Sequence, residues 1–241
     1  MEKSPLKTKL LSRFSCENLM KIGILTFHAV HNYGAVLQAH ATQQTLFGLG
    51  HEPVLLNLVP PHLKKANRKK VPIHNIRSLA LNLVMIPFRG KLARRYERFE
   101  DFRGAFLKTT REYESYEAVE QDPPEVDLYL VGSDQVWNMQ NGGNPLFFLR
   151  FLMAKEGRRK PPVVTYAPSF GTAEIPETYE DRFRDWAEVY DCLSVRESSG
   201  KILAERLLGK TVTQVLDPIF LMGSDYWKNL AGRALMERPY L

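Results

Sequence analysis

Short apolar runs rich in β-forming residues alternate along the chain with longer stretches of helical character. Runs of this kind are typical of buried parallel strands. They span residues 21–27, 53–59, 127–131, 163–166, 192–195 and 211–216. The stretches with helical character span residues 35–46, 76–86, 91–107, 177–190, 199–208 and 224–231. This alternation predicts an α/β fold with a doubly wound, mostly parallel sheet.

Polar side chains follow four of the predicted strands. Asn32 comes after the first strand, the segment 133–138 after the third, Ser169 after the fourth, and Arg196 with Glu197 after the fifth. Strands of one parallel sheet present their carboxyl ends to the same edge, and open α/β folds bind ligands there. We therefore expect these side chains to converge in one cleft.

The loop after the first strand has the features of an anion-binding turn. Asn32 and Tyr33 lie just before the first helical turn, Gly34 permits close approach of the backbone, and Gln38 lies one turn into the helix. Unpaired N–H groups at the start of a helix attract anions. An ordinary N-cap asparagine followed by a turn glycine is the alternative interpretation. The dinucleotide-binding pattern GxGxxG is absent from this loop.

Three residues of these loops are candidate groups for proton transfer. His28 and His31 are considered because imidazole titrates near neutral pH, and Asp134 because it follows the third strand. The structural alternatives are hydrogen-bonded histidines in the first loop and a turn aspartate bonded to its own loop backbone. Since no histidine or carboxylate pair has metal-ligand spacing, we expect no metal site.

The composition is that of an ordinary globular protein. The 241 residues are 44% hydrophobic and 25% charged, which allows one large domain or two small ones. Cys16 and Cys192 are too few for a disulfide framework, so we expect a reducing, cytoplasmic location. Residues 1–19 lack the apolar core of a signal peptide and are expected to form a disordered extension. The apolar run at 79–88 is shorter than the roughly 20 residues that a bilayer requires.

The net charge of +6 is concentrated in one segment. Residues 62–111 contain 14 Lys and Arg against 3 acidic residues, so the segment carries +11 and the rest of the chain −5. A clustered positive field favours phosphate-bearing partners or peripheral contact with the inner face of the membrane, whereas a solvated helical face is the alternative. Within 91–107 the aromatic residues recur at helical spacing and are segregated from the arginines, so we expect no nucleic-acid partner.

Five sequence blocks occur in an order that resembles the polysaccharide pyruvyl transferase family. They read NYGAVLQA from Asn32, DLYLVGSDQVWN from Asp127, VTYAPSFG from Val164, SVRE from Ser194 and VLDP from Val215. The resemblance implies that pyruvate from phosphoenolpyruvate is joined as a ketal to two hydroxyls of one sugar residue, with loss of phosphate. It implies a saccharide or lipid-linked saccharide acceptor, and no cofactor besides the donor substrate.

The resemblance also implies a domain organisation. Residues 20–236 would form the Rossmann-like N-terminal domain of a two-domain, GT-B-like architecture, with 62–111 as a basic helical insertion. Residues 237–241 would begin a linker or a second domain. The sequence indicates no particular oligomeric state.

The demands of ketal formation assign roles to the strand-end residues. Arg196 is the first candidate for binding the donor anions, because a guanidinium binds carboxylate and phosphate groups in a bidentate manner. An Arg196–Glu197 pair that caps the next helix is the alternative. Asp134 is the candidate for acceptor contact or proton transfer, with Ser133 and Asn138 as its hydrogen-bonding neighbours. The remaining expected binding residues are Asn32, Tyr33, Gly34, Gln38, Gly132, Ser169 and Glu197.

Two other functions remain open from the sequence. Nucleotide-sugar glycosyltransferases share the sheet architecture and use different chemistry, and fold alone does not decide between them. A non-catalytic binding domain is the second alternative.

Overall fold

The computed structural model describes residues 19–61, 63, 89–140, 142–153 and 160–231. The helix expected at 76–86 and the linker expected at 237–241 lie outside these residues, as does nearly all of the expected N-terminal extension. The membrane contact expected for the basic segment stays a prediction. No helix within the described ranges is long and apolar enough to cross a bilayer.

Six short strands form the centre of the molecule. They are β1 (Lys21–Leu25), β2 (Glu52–Leu55), β3 (Leu128–Val131), β4 (Val163–Thr165), β5 (Ser194–Val195) and β6 (Thr213–Gln214). The first four pair in the order β2-β1-β3-β4, β5 pairs with β6, and each of these pairings is parallel. A bridge between Val164 and Cys192, with a hydrogen bond from Thr165 N to Cys192 O (3.0 Å), continues the layer from β4 to β5.

Helices connect successive strands and cover both faces of this layer. They are α1 (Tyr33–Gly48), α2 (Arg89–Phe106), α3 (Tyr116–Gln121), α4 (Arg150–Met153), α5 (Glu180–Ala187), α6 (Ser198–Leu208) and α7 (Ser224–Ala231). The 3-10 helix Glu177–Tyr179 precedes α5, and the 3-10 helix Pro218–Leu221 follows β6.

The alternation of side chains along β3 separates two hydrophobic cores. Leu128 and Leu130 belong to the core that α1 and α2 cover, whereas Tyr129 and Val131 belong to the core that α3 to α6 cover. Successive residues of a strand point to opposite faces, so a strand with two apolar faces must be covered on both. The expected doubly wound α/β fold is therefore confirmed. The strand order reverses between β1 and β3, and ligands bind in this fold class at such a reversal.

Several predicted elements are shorter in the structure than in the sequence pattern. The runs at 192–195 and 211–216 contribute only the two-residue strands β5 and β6. Both residues of β6 are exposed, and among the described strands β6 pairs with β5 alone. Few contacts therefore stabilise a longer strand. The helix expected at 177–190 begins as a 3-10 turn and ends at Ala187.

The second helix of the basic segment packs against the loop that follows β1. Phe99 of α2 is buried, and its ring stacks on the His31 ring with 4.9 Å between centroids. The Arg95 guanidinium lies over the Tyr33 and Phe99 rings and donates from Nη2 to the His31 carbonyl oxygen (3.0 Å). The aromatic side of α2 is therefore packed, as its helical spacing predicts, whereas Arg94 and Arg98 are exposed, as the solvated-face interpretation expects.

Gly132 allows β3 and β4 to end in close contact. Its φ is 113°, and a Cβ atom added there would lie 2.2 Å from the Tyr166 carbonyl oxygen. L-residues rarely adopt that φ, and a backbone oxygen cannot move away as a side chain can.

We expect Gly132→Ala to destabilise the protein by more than the roughly 1–3 kcal/mol of a strained backbone conformation, because steric overlap adds to the strain. Urea unfolding measures the loss. Gly48→Ala is the matched control, since a Cβ atom there meets nothing within 4 Å and alanine favours a helix. Equal stability of the two variants would contradict this account of Gly132.

Candidate functional site

The carboxyl ends of β1 and β3 are joined through one buried side chain. Gln38 of α1 donates from Nε2 to Thr26 Oγ1 (2.7 Å) and accepts at Oε1 from Ser133 N (3.3 Å). Thr26 Oγ1 in turn donates to the Ser133 carbonyl oxygen (3.0 Å). Gln38 faces the strand ends as expected, and its hydrogen bonds link the loop after β1 to the loop after β3. Thr26 was missed by the sequence analysis because it lies inside the first apolar run.

The loops after β3, β4 and β5 are hydrogen-bonded to one another. Ser169 N donates to the Asp134 carbonyl oxygen (2.8 Å), and Arg196 N donates to the Pro168 carbonyl oxygen (3.1 Å). Asp134 and Pro168 also form a parallel bridge. The expected convergence of Ser133, Asp134, Ser169 and Arg196 at one edge of the sheet is therefore present.

Asp217 connects this edge to β6. Its Oδ2 atom accepts from Arg196 Nη1 (3.0 Å) and from Ser133 Oγ (3.3 Å), and its side chain is 17% exposed. Its Oδ1 atom accepts from Ile219 N (3.1 Å) and so caps the 3-10 helix that follows. The sequence analysis did not include Asp217 among the site residues. Its position directly after a strand could have indicated it.

Arg196 is held between two carboxylates. Nε donates to Glu197 Oε1 (2.7 Å) directly before α6, so the pair is formed as in the alternative interpretation, but the Glu197 side chain does not cap the helix. Nη1 donates to Asp217, and Nη2 has no hydrogen-bond partner within the described part of the chain. Part of the guanidinium fork therefore remains for a ligand.

Asp134 combines a turn conformation with a perturbed carboxyl group. Its φ is 71°, and its Oδ1 atom accepts from Gln135 N (2.8 Å), as a turn aspartate does. Burial raises the pKa of Asp134, Arg196 opposes that rise, and Asp217 adds to it. A carboxyl group with a raised pKa is suited to proton transfer.

A polar cleft of about 330 Å³ opens beside Arg196. It lies at the start of α6, whose first residues follow Glu197, and Glu197 makes no side-chain cap to the helix. Arg196 and the helix start both favour an anion, whereas Glu197 opposes one. The cleft is lined by Gln135, Ser169, Gly171, Thr172, Ala173, Arg196, Glu197 and Ser199.

The two histidines of the first loop make structural contacts. The ring nitrogens of His28 lie 3.2 Å from the Thr26 carbonyl oxygen and 3.1 Å from Asn57 Oδ1, and burial lowers its pKa. His31 Nε2 lies 2.7 Å from Glu100 Oε1. These contacts match the structural alternative, and a catalytic role for either residue stays a prediction.

The start of α1 differs from its expected form. The helix begins at Tyr33, whose side chain is 67% exposed, and Asn32 Oδ1 caps it by accepting from Ala35 N (3.2 Å). A Cβ atom at Gly34 would meet only Asn32 Oδ1, at 3.4 Å. The N-cap alternative therefore describes the backbone of this turn, and anion binding at Asn32, Tyr33 and Gly34 stays a prediction.

Asn138, another expected binding residue, lies in the loop after β3. Asn138 is half-buried, donates from Nδ2 to Gln135 Oε1 (3.3 Å) and accepts at Oδ1 from Gln140 N (3.0 Å). Among the residues that the structure describes, no three His, Cys, Asp or Glu side chains form a group that could hold a metal ion.

Comparisons with known proteins identify a family and structural neighbours. The family model described as polysaccharide pyruvyl transferase matches residues 32–240. No curated protein matches the chain. An alpha-glucosyltransferase, solved in complex with UDP and a 13-mer DNA containing an HMU base, is structurally similar with a TM-score of 0.40 and 11% sequence identity. The match covers 83% of this chain and 43% of the glucosyltransferase chain, so this chain spans less than half of that enzyme's length.

We expect Asp134→Asn to stabilise the protein at neutral pH, by about 2–4 °C in melting temperature for each kcal/mol gained. Asparagine keeps the bond to Gln135 N and tolerates the positive φ, and it removes a charge that burial disfavours. Because the pKa of Asp134 is raised, the aspartate costs stability as pH rises above the ordinary carboxyl pKa. The gain should therefore vanish in acid, where both side chains are neutral, and a gain that persists there would contradict this origin.

We expect Asp217→Asn to destabilise the protein by about 1–3 kcal/mol, because it removes the charged acceptor of Arg196. The pKa of Asp134 should fall, since Asp217 helps to raise it. Carbon-detected NMR titration of the carboxyl groups measures that pKa. Asp225→Asn is the control, because within the described part of the chain Asp225 pairs only with exposed Lys228, and such pairs contribute little. An unchanged Asp134 titration in Asp217→Asn would show that the two carboxylates are not coupled.

Proposed function

The chain belongs to the polysaccharide pyruvyl transferase family, and from that premise we propose that its site transfers a pyruvyl group from phosphoenolpyruvate to a saccharide. The product is a ketal that bridges two hydroxyls of one sugar residue. The observation that supports this proposal most directly is the polar cleft beside Arg196, whose guanidinium interacts electrostatically with Asp134, a carboxyl group with a raised pKa.

The proposed reaction needs one acid and two deprotonations. A proton adds to the methylene carbon of the donor, and the first sugar hydroxyl forms a C–O bond to the neighbouring carbon. The second hydroxyl then forms its C–O bond at the same carbon while the bond to the phosphate oxygen breaks. One hydroxyl proton restores the acid that delivered its proton to carbon. The other hydroxyl proton leaves with the phosphate, so atoms and charges balance.

The donor fits the charged side of the polar cleft. Phosphoenolpyruvate carries a carboxylate and a phosphate, and both are ligands for the N–H groups of a guanidinium fork. Arg196 has Nη2 unpaired within the described ranges. Ser169 and Ser199 add hydroxyl groups to the lining, and the start of α6 adds unpaired backbone N–H groups.

Proton uptake at Asp134 favours the anionic donor. With Glu197, Asp217 and Asp134 ionised, the three carboxylates outweigh the single charge of Arg196. Protonation of Asp134 removes one of these negative charges, and its raised pKa lowers the cost of that step. The same proton is then available for the methylene carbon of the donor. We therefore assign Asp134 the general-acid role in the proposed mechanism.

We expect Arg196→Gln to weaken phosphoenolpyruvate binding roughly 10- to 100-fold, which corresponds to the loss of a charge-assisted hydrogen bond. Isothermal titration calorimetry measures the affinity. Arg196→Lys keeps the positive charge and should lose less affinity for phosphoenolpyruvate. The matched control is Arg206→Gln, because Arg206 forms an exposed ion pair with Glu180 and is not among the residues that line the polar cleft.

Two results would overturn the proposed function. One is stabilisation of the protein by UDP- or GDP-sugars without stabilisation by phosphoenolpyruvate, in a thermal-shift comparison. The other is unchanged phosphoenolpyruvate affinity in Arg196→Gln, when Arg196→Gln and the control Arg206→Gln are both folded as judged by circular dichroism.

A further inference from the structure

A second cleft adjoins the polar cleft on the same edge of the sheet. It has a volume of about 300 Å³ and shares Gln135 with the polar cleft. On its other side it shares Phe27, Asn144 and Phe147 with a third cleft of about 210 Å³. Because clefts with common lining residues are neighbours, the three clefts follow one another along the carboxyl ends of the strands. We call the middle cleft the amide groove.

The amide groove has a neutral, hydrogen-bonding lining. Its polar side chains are the four amides of Gln135, Asn138, Gln140 and Asn144, and none of its described lining residues is charged. The polar cleft beside it contains both Arg196 and Glu197. The edge of the sheet therefore has a charged part and an uncharged part, and these suit different ligands.

Several amide atoms of the groove remain available to a ligand. Asn144 Oδ1 accepts from Leu146 N (3.0 Å), which leaves its Nδ2 atom unpaired within the described ranges. The Gln140 side chain is exposed and has no hydrogen-bond partner there. A side-chain amide offers both donors and an acceptor, and a sugar hydroxyl can satisfy either.

Aromatic rings border the amides. Phe27 and Phe147 meet edge to face, with 4.8 Å between ring centroids. The third cleft beyond them is largely apolar and includes Leu56, Leu58 and Leu146. Ligand pockets usually combine apolar walls with a few placed polar groups, as this groove does. A pyranose ring has hydroxyls at its rim and C–H groups on its faces, and so presents both kinds of surface.

We propose that the amide groove is the acceptor subsite and binds a neutral sugar ring. The hydroxyls of the ring bond to Gln140 and Asn144, and one face of the ring lies on Phe27, which is partly exposed and packs edge to face on the buried Phe147. The Gln135 end directs the reacting hydroxyls toward the polar cleft. This assignment deepens the proposed function and rests on it only for the identity of the second substrate.

The test is saturation-transfer NMR on the protein with galactose, mannose and N-acetylglucosamine at millimolar concentration. We expect binding of at least one of these sugars, and a roughly 2- to 10-fold weaker affinity in Gln140→Leu, as the loss of one neutral hydrogen bond produces. Asn144→Ala should weaken it similarly. Gln121→Leu is the matched control, because Gln121 is an exposed glutamine at the end of α3, outside the lining of the groove.

Phosphoenolpyruvate titrations separate this inference from the proposed function. Gln140→Leu should bind phosphoenolpyruvate as the wild type does. If the wild type binds sugars but not phosphoenolpyruvate, and Gln140→Leu weakens sugar binding, the groove assignment stands and the proposed function fails. The assignment is overturned if no sugar binds the wild type, or if both groove variants bind sugars as tightly as the control.

Discussion

The reversal of strand order between β1 and β3 is the constraint on which the rest of this structure depends. It separates α1 and α2 on one face of the sheet from α3 to α6 on the other, and folds of this class have a gap at the carboxyl edge where the order reverses. Gln38 spans that gap by bonding Thr26 and Ser133. Because the amide is buried and fully used, it fixes the distance between the loops that carry the site.

Charge is distributed along the carboxyl edge in a way that fits two different substrates. At one end Arg196 is held between Glu197 and Asp217, and the balance of charge there changes with the protonation of Asp134. In the amide groove, the lining consists of uncharged amide side chains and aromatic rings. In the proposed reaction, an anion and an uncharged sugar lie side by side in these two parts of the edge. This division is a physical basis for the proposed reaction.

Much of the fold follows from local pattern. The run over residues 21–27 and the helix formers after it predict a β-α unit, and Leu128 to Val131 predict a strand buried on both faces, because all four residues are apolar. Strand ends could be located from these runs, so Ser133, Asp134, Ser169 and Arg196 could be assigned to one edge. The lengths of β5 and β6 could not be predicted from the sequence, because pairing with neighbouring strands and burial by neighbouring elements decide where a short strand ends.

By itself, the sequence determined the α/β class, the family likeness and the edge at which polar groups would gather, since these depend on periodicity and chain order. Only the tertiary structure decided how those groups are used. It paired Arg196 with Asp217 across 21 positions and placed His31 against Glu100 across 69. It also brought Phe27, Gln140 and Asn144 into one groove. Such contacts depend on how loops from separate strands meet in space, and no local pattern of residues encodes them.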